Sequence, residues 1–404
     1  MTDDELYVMS SMEVVFGYLL GHTGSLPPPT DETATPRQAL ERVVRVALER
    51  PPCGVAFSGG RDSSAVLAVA VHVARRDGLP EPVPITRVFP EVEEAAEREW
   101  QEAVVRHLGL RDWQRVVIHD ELDVIGPLAA EHLAAHGVVW PPTIAGDRPL
   151  VAAVPGGSVI DGEGGDEVLG VAAHRVARLT PLLRHPRPLR WRRIRSALGA
   201  LAPAGVRARH EQRGWGERPF PWLRAAGREA LLAGLDQAER DLPLSFAASV
   251  RMVPLRRSQA LSRHNRRIFA RRRDVDLSSP LLHFDFVHAV ARDGGVLGSG
   301  DRTSVLRALV PDLLPDEVLA RTSKAVFTRC YMGLHTRAFA ERWTGEGVDP
   351  ELVDPQELKR SWMSDEPVAP SAALLQQAWA ATDGGRAGSR DPPQQLVADR
   401  NQAS

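Results

Sequence analysis

Apolar positions recur along this chain with two periods. Short continuous runs over residues 55–57, 83–88, 116–118 and 159–161 have the length of buried strands. Between them, over 63–75, 94–108 and 121–136, apolar residues return every three or four positions, the period of an amphipathic helix, and Gly109 ends the second of these stretches. Strands that alternate with helices imply a parallel sheet inside an α/β fold. From about Glu167 onward the pattern is almost entirely helical, which predicts a helical half lying over the active edge of the sheet.

The ends read differently. Residues 1–20 lean apolar with a helical period, and 24–36, with Pro27, Pro28 and Pro29, read as a linker, so folded structure is expected to start near Pro36. The chain is thus expected to divide into residues 1–36, a synthetase-sized body over 37–382 (37–175 nucleotide-binding, 176–382 helical), and a disordered tail over 383–404 rich in Gly, Pro and polar residues.

Composition narrows the function classes. With 404 residues, 43% hydrophobic and 25% charged, the chain can bury a large core. A net charge of -2 gives no overall footprint for nucleic acid, and no apolar run reaches the roughly 20 residues that cross a bilayer. A cytoplasmic protein is expected, since no signal peptide is visible and Cys53 and Cys330 are too few for a disulfide framework. Only Lys324 and Lys359 are lysines among 50 basic residues. The arginine-dense stretches 184–195 and 263–273 are expected on solvated helix faces, and the histidines show no metal-ligand spacing.

Candidate chemistry begins where the first strand runs into Ser58, Gly59, Gly60, Arg61, Asp62, Ser63 and Ser64, with an apolar helix behind. Glycines allow a tight turn with free N–H groups, the following helix N-terminus adds positive dipole, and the serine hydroxyls can donate to the same oxygens, which makes a pyrophosphate nest. No Gly-Lys-Ser/Thr follows, so it is not a Walker loop. A plain strand-to-helix turn capped by Asp62 and Ser63 has the same outline. The second signal is Asp161, Gly162, Glu163, Gly164, Gly165, Asp166 and Glu167. Its glycines let backbone approach a ligand, and its carboxylates, with Asp62 opposite, are hard oxygen donors suited to Mg²⁺.

Ser-Gly-Gly-Xaa-Asp-Ser resembles the pyrophosphate loop of the ATP pyrophosphatases, and 161–167 resembles the Ser-Gly-Glu-Gly-Xaa-Asp-Glu motif of asparagine synthetases, with Asp161 in place of the serine. The resemblance covers about 37–345. It implies a PP-loop sheet of the adenine nucleotide alpha hydrolase (Rossmann-like) type, ATP and Mg²⁺ as cofactors, and AMP and pyrophosphate as products. By position it implies that Ser58, Gly59, Gly60, Asp62, Ser63, Ser64, Val88 and Gly162 bind ATP and that Asp62 and Asp166 bind the metal. Glu163 and Lys324 are then catalytic. Lys324 falls on the lysine that family members carry before a small residue and phenylalanine. A compact ammonium there would steady charge that grows during adenylation. Glu163, beside an activated acyl group, would orient or deprotonate an incoming amine.

Two departures qualify the resemblance. The glutaminase half with its N-terminal cysteine is missing, so nitrogen is expected as ammonia, from a separate glutaminase, or as a substrate amine. At 276–283 the chain reads Asp-Leu-Ser-Ser-Pro-Leu-Leu-His where asparagine synthetases have Glu-Xaa-Arg-Val-Pro-Phe-Leu-Asp, which puts aspartate in doubt as substrate. Residues 321–324 with Tyr331 and Gly333 are also similar to lasso-peptide macrolactam synthetases. The expected function is amide formation on an adenylated carboxylate of a small molecule or peptide. The alternatives are macrolactam closure in natural-product biosynthesis and RNA modification, the latter opposed by the acidic loop and Lys324.

Overall fold

The computed structural model describes residues 4–95, 97–179, 198–207, 220–321 and 325–382. Five strands form one all-parallel sheet: β1 (Cys53–Ala56), β2 (Val83–Val88), β3 (Gln114–Val117), β4 (Ser158–Ile160) and β5 (Asp276–Ser278). Their order is β3-β2-β1-β4-β5. The chain thus builds outward from β1 to β3, returns, and adds β4 on the other flank of β1. Diverging connections leave a crevice at the carboxyl ends of β1 and β4, where open α/β sheets place ligands.

Two apolar layers sandwich the sheet. The helix Arg61–Asp77 is buried on nearly every side, from Ala65 to Ala74, because it lies between the sheet and the helix Pro36–Leu48. Its valines have only modest helix propensity, so tertiary packing stabilises this helix more than local preference does. The opposite face carries Ile85, Val116, Ile118, Leu128, Leu150, Val159 and Leu277. A third core, built on Trp222, Phe339, Trp343, Trp362 and Leu375, belongs to the helical half.

The sequence expectations meet the structure unevenly. The strand over 83–88 coincides with β2, and the other three lie within two residues of theirs. The helix expected over 94–108 divides into a 3-10 turn, Glu93–Ala95, and the helix Arg98–Leu108, which stops at left-handed Gly109. The helix expected from Glu121 begins only at Pro127. Folded structure does not wait for Pro36. The short helix Ser11–Phe16 is fixed by a Ser10–Glu13 capping box, and Met9, Val14, Val15, Phe16 and Leu19 are buried in the third core. β5 was not foreseen, since Leu277 is its one apolar residue and no apolar run marks it. The stretch 184–195 and the tail 383–404 lie outside the described residues.

Lys359 does not sit on an idle solvated face. Its ammonium donates to the carbonyls of Glu341 and Trp343 at 2.9 and 3.0 Å, closing the last turn of the helix Leu334–Arg342. Cys53 and Cys330 are both buried, and burial pushes the Cys53 thiol up to about 11.

Candidate active site

Both glycine loops sit at the crevice between β1 and β4 and line one cleft of about 490 Å³. After β1 the chain turns through Gly59, whose φ of 86° is a left-handed conformation that side chains disfavour. Three side chains hold the loop carbonyls. Thr86 donates to the Phe57 carbonyl at 2.8 Å, Gln101 to that of Ser58 at 2.9 Å, and Arg321 to that of Gly59 at 3.0 Å. Ser58 and Ser63 hydroxyls lie 3.1 Å apart, and Ser63 also donates to the Gly60 carbonyl. The Ser64 hydroxyl is buried without a hydrogen-bond partner.

The second loop docks on the first. A Cβ on Gly162 would stand 3.0 Å from the Ser63 nitrogen, and one on Gly165 only 2.2 Å from the Asp62 carboxyl carbon. Asp161, the residue in place of serine, accepts from the Glu163 N–H at 3.1 Å and so shapes the loop. Its other oxygen receives Arg266 at 2.7 Å.

Arg266 corrects the expectation for its stretch. It is 7% exposed, on the helix Arg257–Arg271, and forks onto both oxygens of Asp147 at 2.6 and 3.1 Å. Glu163 stands 3.6 Å from the same guanidinium. One cation therefore serves three carboxylates. The Glu163 side chain is 48% open to the cleft, yet protein surrounds that cleft and leaves the carboxylate poorly solvated. This burial, with Asp161, Asp147 and Glu167 nearby, raises its pKa against the opposing pull of Arg266.

Asp62 and Asp166 are brought together as expected, but the group between them is Arg302. Its Nε donates to Asp62 at 3.2 Å, and its two terminal nitrogens reach the other Asp62 oxygen and Asp166. Burial raises the Asp62 pKa while Arg302 pulls it down. Among the described residues, no group of three or more His, Cys, Asp or Glu side chains is arranged to hold a metal. Both aspartates instead face the one Arg302 guanidinium.

Val88 ends β2 with its carbonyl accepting from Ile118 at 2.8 Å, and the cleft is lined by its neighbours Arg87 and Phe89. Lys324 lies outside the described residues. Sequence reasoning missed Arg302, Arg61, Arg266, Arg321 and Glu97, all around the cleft. Arg61 lies inside the quoted loop and Arg321 inside the quoted stretch 321–324, but no local signal separates Arg302 and Arg266 from the many other arginines in the chain. Tyr331, noted in the sequence, accepts from Arg87 at 2.9 Å on the cleft wall. A second pocket of about 330 Å³, lined by Tyr18, Trp140, Asp147 and Gln259, shares Arg87, Glu163, Glu167, Arg266 and Tyr331 with the first.

Compared with known proteins, residues 35–382 match the family model described as asparagine synthase. No curated protein matches the chain.

Proposed function

From the premise that the chain belongs to the asparagine synthase family, we propose that it is an AMP-forming ligase that adenylates a carboxylate and passes the acyl group to an amine. The observation that carries this reading is the docking of the two loops: a phosphate nest after β1 and a carboxylate loop after β4 share one cleft at the crevice of the sheet. In the first step a substrate carboxylate oxygen attacks the α-phosphorus of ATP, and the bond to the β-phosphate bridging oxygen breaks, releasing pyrophosphate. The loop amides after Gly59, the Ser58 and Ser63 hydroxyls and Arg61, which line the cleft, would receive the phosphates. Lys324 would steady the charge that grows on the α-phosphate.

Asp62 and Asp166 are the residues that would hold Mg²⁺, which when bound offsets polyphosphate charge. In the second step the amine attacks the acyl carbon, AMP leaves, and Glu163 takes the amine proton. Its raised pKa makes it a stronger base than an ordinary carboxylate.

The adjoining pocket favours an amine larger than ammonia. Its volume is about 330 Å³, and its lining combines the aromatic rings of Tyr18, Trp140 and Tyr331 with Glu163 and Glu167. With Arg87 and Arg266 in the same lining, it suits an organic body that carries an amine and an anionic group, whether a free molecule or a peptide being closed into a macrolactam.

Hydroxylamine can stand in for the amine in the test. The protein is incubated with Mg-ATP, hydroxylamine and a panel of amino-acid and peptide carboxylates, and hydroxamate, AMP and pyrophosphate are measured. Carboxylate-dependent AMP and pyrophosphate, lost in Asp62→Asn, is the expected outcome. Release of ADP and phosphate instead overturns the reading.

A further inference from the structure

Arg302 stands where the two aspartates of the site face a common cation. It is the first residue of the helix Arg302–Leu309, and its backbone is pinned on both sides. On one side the Val171 N–H donates to the Gly300 carbonyl at 3.2 Å, and a Cβ on Gly170 would fall 2.9 Å from the Arg302 nitrogen. On the other, Asp301 caps the helix by accepting from the Ser304 N–H at 2.8 Å. Only the side chain of Arg302 has room to change position, and in this structure its guanidinium spans Asp62 and Asp166, 21% exposed on the cleft wall.

A second guanidinium is close by. Arg61 donates to the Thr303 hydroxyl at 3.2 Å, and its pKa is lowered first by burial and then by Arg302. Two like charges in one cleft are tolerated because each has a polar partner, and both are poised for an anion. An arginine fork binds a phosphate with two parallel hydrogen bonds as readily as a carboxylate.

We propose that Arg302 is a positioning cation that occupies the metal carboxylates in the nucleotide-free protein and transfers to the polyphosphate when Mg-ATP arrives. The inference rests on the proposed ATP-binding reading and extends it. A divalent ion alone must displace a guanidinium from both aspartates and offer it no new partner. Accompanied by ATP, the ion supplies an anion that receives the released Arg302. Metal binding is thereby coupled to nucleotide binding.

The test measures binding, not turnover. Mn²⁺ is titrated into the full-length protein by electron paramagnetic resonance, without nucleotide and with a non-hydrolysable ATP analogue. Wild type should bind Mn²⁺ at least tenfold more tightly with the analogue present. In Arg302→Gln, Mn²⁺ affinity without nucleotide should rise about tenfold, the analogue should bind more weakly, and the coupling should shrink toward one. Arg302→Lys keeps a charge but not the fork across two carboxylates, so its coupling should fall in between. It also serves if Arg302→Gln does not fold. Unchanged metal affinity in the nucleotide-free variants, or undiminished coupling, overturns the proposal. Should wild type bind no nucleotide with or without metal, the ATP reading itself is what fails.

Discussion

Gly165 passes so close to Asp62 that a Cβ on it would stand 2.2 Å from the carboxyl carbon. The contact joins two loops about a hundred residues apart in the chain and sets the distance between the phosphate nest and the acidic loop. Gly165→Ala must push Asp62 or the second loop aside. We expect a loss of about 1–3 kcal/mol in stability from overpacking and at least a tenfold loss of Mg-ATP affinity. Gly78→Ala is the control. Gly78 caps a helix at φ 67° with no atom within 4 Å of a new Cβ, so the variant should cost about 1 kcal/mol of stability and leave nucleotide affinity intact. Equal nucleotide binding by both variants would remove the docking contact from the site.

Glu163 should control acyl transfer and not adenylation. Glu163→Gln is expected to slow hydroxamate formation by about 10²-fold while carboxylate-dependent pyrophosphate exchange persists. Because burial raises the Glu163 pKa, its base form is reached only above the usual carboxylate range, and the rate with hydroxylamine, a weakly basic nucleophile, should climb with pH through that window. The same shift has the opposite sign for stability. The folded state holds this proton more tightly than the unfolded state, so stability falls as pH rises from 4.5 through the raised pKa, and Glu163→Gln should remove that slope in denaturant titrations.

Lys324 tests the carry-over from the family at a position outside the described residues. Lys324→Ala should lower kcat about 10²–10³-fold with little change in ATP affinity, the signature of a donor that acts mainly in the transition state. Lys324→Arg should recover little, since a wide guanidinium does not occupy the point of an ammonium. Near wild-type turnover in both variants would make it a surface lysine.

His174 should make the protein acid-sensitive. Its residue is 4% exposed, and the ring packs edge-on against Phe246 at 4.9 Å between centroids. Burial pushes its pKa down to about 4. A histidine buried neutral stabilises the fold above its unfolded pKa of 6.5, and that contribution disappears as pH falls toward 4. At roughly 1.4 kcal/mol per pKa unit, about 3 kcal/mol is at stake. His174→Phe should melt higher than wild type at pH 5 and show no such gain at pH 7.5.

Much of the site was written locally in the chain. A strand of apolar residues running into Ser58, Gly59, Gly60 and Asp62, and another running into Gly162, Glu163 and Asp166, are short-range patterns whose backbone requirements belong to consecutive residues. The parallel sheet followed from the alternation of periods, and the helix end at Gly109 followed from glycine's freedom at positive φ. None of these features depends on distant neighbours.

What only the tertiary structure decided was pairing at long range. Arg302 reaches Asp62 across 240 positions, and Arg266 reaches Asp161 across 105, each as one arginine among many in a chain that writes nearly all its cations that way. Periodicity places Arg266 on an arginine-rich helix face, and only the packing of that helix against β5 turns the residue inward to a cluster of carboxylates. β5 itself is three residues long, and Lys359 finds its carbonyls on another helix. A side chain's chemistry is fixed by its own residue, but its charge partner is fixed by the fold, because the Coulomb and hydrogen-bond terms that select it depend on separation in space and not along the chain.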